Sequence, residues 1–285
     1  MRNVYDDTVC KLGEGPLWHP SRGQLFWFDI LGHRMLTREG DRTRIWEMGE
    51  HVSAAGWVDD QTLLVASETA LFRFDIETGA REDVVALEAD NPLTRSNDGR
   101  ADPMGGFWIG TMPKGEREPI GAFYRFYKGE LRQLWDGIVI PNAICFPPGG
   151  THGYFTDTAR NIVQRVALDA DGWPDGAPED WLDLSGNPWG VDGAVFDADG
   201  NFWNAQWGGW RVACYSPQGE LIRTVDFDGA HTSCPAFGGP DLTTLFATTA
   251  ADRTTRADKE RSPAQGMTFA AENVAKGQAE HRVLL

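Results

Sequence analysis

Short runs of large apolar residues, six or seven positions long, recur along the whole chain: QLFWFDI (24–30), TLLVAS (62–67), GFWIGTM (106–112), GYFTDT (153–158), NFWNAQW (201–207) and TTLFATT (243–249). Helical spacing of apolar residues is nearly absent, and Gly, Pro or Asp bounds the runs, which predicts β-strands joined by tight turns. Ahead of each run an apolar position ends a first strand, at Trp18, Trp57, Ala101, Phe146, Phe196 and Phe237. A turn position follows four or five residues later, at Gly23, Gln61, Gly105, Gly150, Gly200 and Asp241. Third segments such as ALFRFDIETG, GAFYRFYKGE and WRVACYSPQGE end in Thr-Gly, Lys-Gly or Gln-Gly, which are hairpin signals. Six such units, about 40 to 50 residues apart, fill the chain. Three or four strands per unit without helix select a propeller over a solenoid. The expected fold is all-β: a six-bladed β-propeller of four-stranded antiparallel blades, one domain over 1–285. NVYDDTVCKL near the start and HRVLL at the end both have strand character, so one of them is expected to close the ring.

In a propeller the first strand of each blade lines the central channel. Stepping four residues back from each aligned position keeps the same strand face, because side chains alternate with period two. The residues reached are Glu14, Ser53, Asn97, Asn142, Asp192 and Ser233, all polar, in strands that are otherwise mostly apolar. Glu, Asp and Asn offer only oxygen, the donor set that a hard divalent cation prefers. Two carboxylates desolvated together repel, so such a ring would be costly without a counter-ion. A water-filled polar channel without an ion is the plainer alternative. Asn97 and Asn142 also suit Asx-type turns, and Val191-Asp192-Gly193 looks like a plain turn outside the context of the ring.

Neighbouring residues add detail. Arg95, two positions before Asn97, can point into the same mouth and offer a fork of donors. Arg100 follows the turn-like Asp98-Gly99 and reads equally well as a surface or inter-blade ion pair. The segment 112–121, MPKGEREPIG, is longer than its counterparts and charged, so it reads as a loop over one mouth, a lid or simply solvated surface.

Composition narrows the function classes. A hydrophobic share of 41% over 285 residues supplies a sizeable core. A net charge of −16 opposes binding to nucleic acid or to anionic membranes and favours cations. No apolar run of 18 residues is present, and MRNVYDDTVCKLGEG lacks the features of a signal peptide. Cys10, Cys145, Cys214 and Cys234 are scattered without a C-x-x-C pair, which points to reduced thiols and a cytoplasmic location. The six histidines form no H-x-x-x-H pair, and neither G-x-S-x-G nor a phosphate loop occurs. DADGN (197–201) and DADG (169–172) resemble calcium loops superficially but lack the terminal Glu, and read as hairpin turns.

Four segments, LGEGPLW (12–18), RSNDGRADPMGGFWIGTM (95–112), PNAICFPPGGTHGYFTDT (141–158) and GVDGAVFDADGNFWNAQWGGWRV (190–212), resemble in order the SMP-30/gluconolactonase/regucalcin-like family of six-bladed propellers. The resemblance implies hydrolysis of a sugar (aldono-) lactone at one divalent metal cation: Ca, Zn, Mn, Mg or Fe. It implies Glu14, Asn142 and Asp192 as metal ligands, Asp192 also as general base, and Arg95 and Asn97 as substrate contacts. Related enzymes carry an acidic substrate contact in the lid; Glu116 and Glu118 lie near that place, neither in clean register, and Glu118 is assigned. Val191 departs from the Pro that many members carry there. The implied partner is a small-molecule sugar lactone, with no nucleic acid or membrane, on a monomer or weak homo-oligomer. A non-catalytic calcium- or sugar-binding propeller, or a metal-dependent esterase or organophosphatase, would use the same ring.

Overall fold

The computed structural model describes residues 2–285, so Met1, the first residue of the expected domain, lies outside the described residues. The strands form a propeller-like arrangement of antiparallel sheets. Four separate four-stranded sheets cover 13–47, 52–86, 94–138 and 141–183. An eight-stranded sheet takes the rest, in two runs of four. One run covers 190–226; the other covers 231–271 and recruits Arg2–Asp6 as its last strand. A single residue pair, Trp207 opposite His231, joins the two runs. A short α-helix, Arg256–Arg261, interrupts the pattern, its start held by a capping box between Thr255 and Asp258.

The ring is closed by the N-terminal segment. Asn3 lies opposite Ala270 and Val4 opposite Phe269, so the chain's beginning completes its last sheet. The C-terminal HRVLL forms no strand. Its Val283 N–H donates to Trp57 O (2.9 Å) and its Leu284 N–H to Gly105 O (2.8 Å), so it runs across the sheet ends instead.

The first strands Gly13–His19, Val52–Trp57, Thr94–Ala101, Pro141–Cys145, Gly190–Phe196 and His231–Gly238 are nearly all buried. Each packs against the next, and the last returns to Gly13–His19. The core lies between neighbouring sheets, for example where Leu17, Phe26, Phe28 and Met35 meet Val52, Leu63, Val65 and Phe72. Complete burial of a phenylalanine such as Phe26 or Phe72 contributes about 1.5–3 kcal/mol.

One backbone feature recurs in every first strand. Its pairing with the second strand slips between Glu14 and Leu17, Val52 and Ala54, Ser96 and Gly99, Asn142 and Cys145, Val191 and Ala194, and Thr232 and Cys234. The polar ring positions lie at or beside these irregularities. A bulge frees a residue from the ladder and re-aims its side chain, and bulges gather near functional sites. Gly15 shows the local requirement: its φ is +52°, and a Cβ there would lie 2.2 Å from Ser53 O.

The two DADG segments are turns, as their sequence suggested. Asp197 Oδ1 accepts from the N–H groups of Asp199 (3.0 Å) and Asn201 (2.8 Å). Asp169 Oδ1 accepts likewise from Asp171 (2.9 Å) and Trp173 (2.8 Å).

Candidate active site at one mouth of the channel

The bulged ends of the first strands surround a cavity of about 230 Å³. Glu14, Asn97, Asn142 and Asp192 form its buried floor, between 3% and 6% exposed, with Arg95 beside them. The other two ring positions serve the fold. Ser53 Oγ donates to Ser96 Oγ (2.8 Å), and Ser233 Oγ donates to Gly13 O (2.5 Å), so both serines tie neighbouring first strands together.

A directional chain of hydrogen bonds sets the floor. Arg95 Nη1 donates to Asn97 Oδ1 (2.8 Å) and to Ser96 O (2.8 Å). Asn97 Nδ2 donates to Asn142 Oδ1 (3.0 Å) and Pro141 O (2.9 Å). Asn142 Nδ2 donates to Thr158 Oγ1 (2.8 Å), whose hydroxyl donates to Val191 O (2.6 Å). A carbonyl can only accept, so the Thr158 proton is committed to Val191 and its oxygen must accept from Asn142. That fixes which way the Asn142 amide faces.

Three carboxylates are buried in this region and their charges are poorly matched. Burial, then the charge of Asp98, pushes Glu14 up to about 8. Burial, then Glu14 and Asp98, raises Asp192 well above the usual carboxylate range. Asp98 accepts the Ile144 N–H (2.7 Å), yet burial still lifts it to about 6. Burial draws Arg95 down to about 10 against the pull of Glu14, Glu68 and Asp192, so it stays cationic at neutral pH. Desolvation disfavours each charged form, and one arginine does not offset two floor carboxylates.

Asp98 corrects the expectation from sequence. It is no turn residue: Thr94–Ala101 runs as one buried strand through Asp98-Gly99, with the bulge supplying the irregularity that a turn reading detects. Arg100, read as surface or inter-blade, is buried and ion-paired to Glu280 from the C-terminal segment. Glu116 and Glu118 are exposed, and the lid faces the cavity through Lys114, Gly115 and Arg117 instead. Thr158, Trp207, Asp252 and Arg253 also line the cavity. They lie outside the ring phase, so no periodic signal marked them.

Among the described residues no three His, Cys, Asp or Glu side chains gather in metal-binding geometry. The oxygen set here is two carboxylates and an amide, Glu14, Asp192 and Asn142. Its chemistry fits a hard divalent cation, whose charge would relieve the desolvation and mutual repulsion of the pair.

A propeller-like barrel of sheets with a buried carboxylate–amide floor at one open mouth is the class of protein that fold and site define. Residues 12–251 match the model of the SMP-30/Gluconolactonase/LRE-like region, and the chain belongs to that family. A Rhizobium meliloti (strain 1021) protein, provisionally named a sugar lactone lactonase, is 38% identical over 277 residues, spanning 96% of this chain and 94% of that one. The 6-deoxy-6-sulfogluconolactonase of Pseudomonas putida is 30% identical over 274 residues, spanning 94% of each. The solved structure of a calcium-binding protein, regucalcin, from Agrobacterium tumefaciens str. C58 superposes with a TM-score of 0.96 at 38% identity, covering 99% of this chain and 97% of that one.

Proposed function

We propose that the chain is a metal-dependent hydrolase of sugar (aldono-) lactones, a single-domain six-bladed propeller in which the two runs of the eight-stranded sheet count as separate blades. The closed cycle of first strands supports the blade count. One observation carries the functional reading: two buried carboxylates and an amide share the floor of an open cavity with a buried arginine. The lactonase names of relatives at 30–38% identity agree with it. Four free, buried cysteines fit a reducing, cytoplasmic setting.

Glu14, Asn142 and Asp192 are the residues that would hold the cation, which when bound supplies Lewis-acid polarisation and acidifies nearby water. Asp192 takes the proton of the attacking water as its oxygen bonds to the lactone carbonyl carbon. The ring C–O bond then breaks, and the same proton passes to the departing oxygen, leaving an aldonic acid. Arg95, with Nη1 tied to Ser96 and Asn97, turns the rest of its fork toward the developing oxyanion and the sugar hydroxyls. Asn97 holds that fork in place. Burial, reinforced by the charges of Glu14 and Asp98, keeps Asp192 more basic than an exposed aspartate, which suits a proton acceptor working near neutral pH.

The test is acid release from a panel of pentono- and hexono-lactones, with EDTA and with added Ca²⁺, Mn²⁺, Zn²⁺ or Fe²⁺. Metal-dependent release is expected, and Asp192→Asn should lower kcat by roughly 10²–10⁴-fold. No metal-dependent release from any lactone would refute the lactonase reading. The regucalcin likeness favours one second reading, a calcium-binding protein without turnover. Calorimetric Ca²⁺ binding with no hydrolysis of any lactone would select it.

A further inference from the structure

Charge changes sign with depth in the cavity. The floor holds Glu14 and Asp192, whereas the exposed Lys114, Arg117 and Arg253 outnumber one acidic residue, Asp252, on the outer wall. On a chain of net charge −16 this is a local reversal. Lys114 is matched by Glu68 in an ion pair. Among the described residues Arg253 pairs with Asp252 alone, at 3.5 Å with the side chains 68% and 43% exposed, a weak pairing. Arg117 takes part in no ion pair among the described residues, although most arginines of the protein do.

Backbone geometry singles out Arg253 independently. Its φ is +56°, and no other non-glycine residue lining the cavity has a positive φ. A side chain with a Cβ seldom adopts that conformation, which is found where surrounding structure imposes it. The imposing contacts are clear: Ala251 N–H donates to Cys10 O (3.1 Å), Asp252 N–H to Lys11 O (2.9 Å) and Thr254 Oγ1 to Ala251 O (2.6 Å). The turn is therefore tied to the segment before Glu14, and a guanidinium is presented at the mouth from a fixed base.

We infer that the substrate is a sugar lactone carrying a terminal oxyanion (a carboxylate, sulfonate or phosphate), held by Arg117 and Arg253 at the rim while its lactone carbonyl lies on the floor. The inference rests on the lactonase reading and adds the substrate class. Planar guanidinium forks recognise such oxyanions in two-point fashion, and two of them around an open wall select the end of the sugar remote from the reacting carbonyl. A neutral terminal hydroxymethyl group would leave both forks facing water.

The test compares a neutral aldono-lactone with lactones of the same ring bearing a terminal carboxylate, sulfonate or phosphate, assayed on the metal-loaded wild-type protein, Arg117→Glu and Arg253→Ala. The expected result is a KM about tenfold lower for at least one anionic member, the size of a charge-assisted hydrogen bond. That preference should shrink at high salt, because the rim is exposed and screened. Arg117→Glu should raise the KM of the anionic member about tenfold more than that of the neutral one. Which anion gains most identifies the terminal group. Equal KM values for neutral and anionic members, or variants that shift both alike, would overturn the inference and leave the lactonase standing. Hydrolysis of no member would remove the lactonase reading, and the inference with it.

Discussion

The two ends of the central channel use the same six first strands to opposite effect. At the open mouth the bulged strand starts present Glu14, Asn97, Asn142 and Asp192 to a cavity. At the far end Trp57, Phe146, Phe196 and Phe237 meet the C-terminal segment. There Gln278 Nε2 donates to Phe146 O (2.7 Å) and Trp57 Nε1 to Glu280 O (2.8 Å), while the side chain of Val283 is fully buried. A void of about 20 Å³ lies there, lined by Arg100, Cys145, Phe146 and the segment itself. Both ends bury an arginine. Arg100 meets a carboxylate from its own chain, Glu280, whereas Arg95 stands beside Glu14 and Asp192, which burial keeps from ionising freely together. Charge balanced within the chain closes one end of the channel. At the other end, the proposed partners come from solution: a cation for the floor and an oxyanion for the rim.

The largest break of this contrast is Glu280→Ala. It leaves Arg100, only 10% exposed in its side chain, without a partner, and should destabilise the protein by about 3–5 kcal/mol in chemical denaturation. Lactone turnover at a permissive temperature should persist, since the open mouth is untouched. A loss under about 1 kcal/mol, the value of a surface pair, would mean that the far end is not closed by this pairing.

The next effect is that of pH on the metal-free protein. A carboxylate whose folded pKa lies above its unfolded value holds its proton more tightly in the folded state. For Glu14 the two values are 4.5 unfolded and about 8 folded, burial being the main cause, so stability should be lost as pH rises through that window. The Tm of EDTA-treated protein should therefore fall across it. An added divalent cation should raise Tm more at the top of the window than at its foot, because it replaces the proton. Glu14→Gln should flatten the slope while weakening cation binding more than folding. A Tm that stays level or climbs across the window in EDTA would contradict the unbalanced floor.

The smallest change is Thr158→Val, which removes a hydroxyl that orients Asn142 without touching the floor carboxylates. Calorimetric cation affinity should drop roughly 10–100-fold, as for other residues that support a ligand. Thr158→Ser, which keeps the hydroxyl, should restore most of it. An affinity unmoved by the valine would mean that Asn142 is oriented by Asn97 alone.

Much of the floor is legible in the sequence. Glu14, Asn97, Asn142 and Asp192 share one phase of the repeat, and that phase holds because the same bulge recurs at the same place in every first strand. The phase also marked Ser53 and Ser233, whose hydroxyls are used up between strands. No repeat could separate these two groups, because the difference lies in which acceptor stands next door. Asp98 was hidden for a related reason: Asp-Gly inside a strand bulge and Asp-Gly in a turn have the same composition. In the lid, the acidic Glu118 drew attention by resemblance, yet Lys114, Gly115 and Arg117 line the cavity. A one-residue difference in a loop without periodicity decides which sign of charge faces the cavity.

By itself the sequence determined the all-β character, the repeated unit and the polar phase of the inner strands, because apolar alternation and turn chemistry act between near neighbours. Tertiary structure decided which end of the channel stays open and which charges remain unmatched. Those outcomes depend on residues far apart in the chain, as when Asn97 meets Asn142 across 45 positions and Arg100 meets Glu280 across 180. Tertiary structure also decided that the N-terminal segment became the closing strand and the C-terminal one the cover. Both had strand character, but only the first found an unpaired edge, at Thr268–Ala271, to complete.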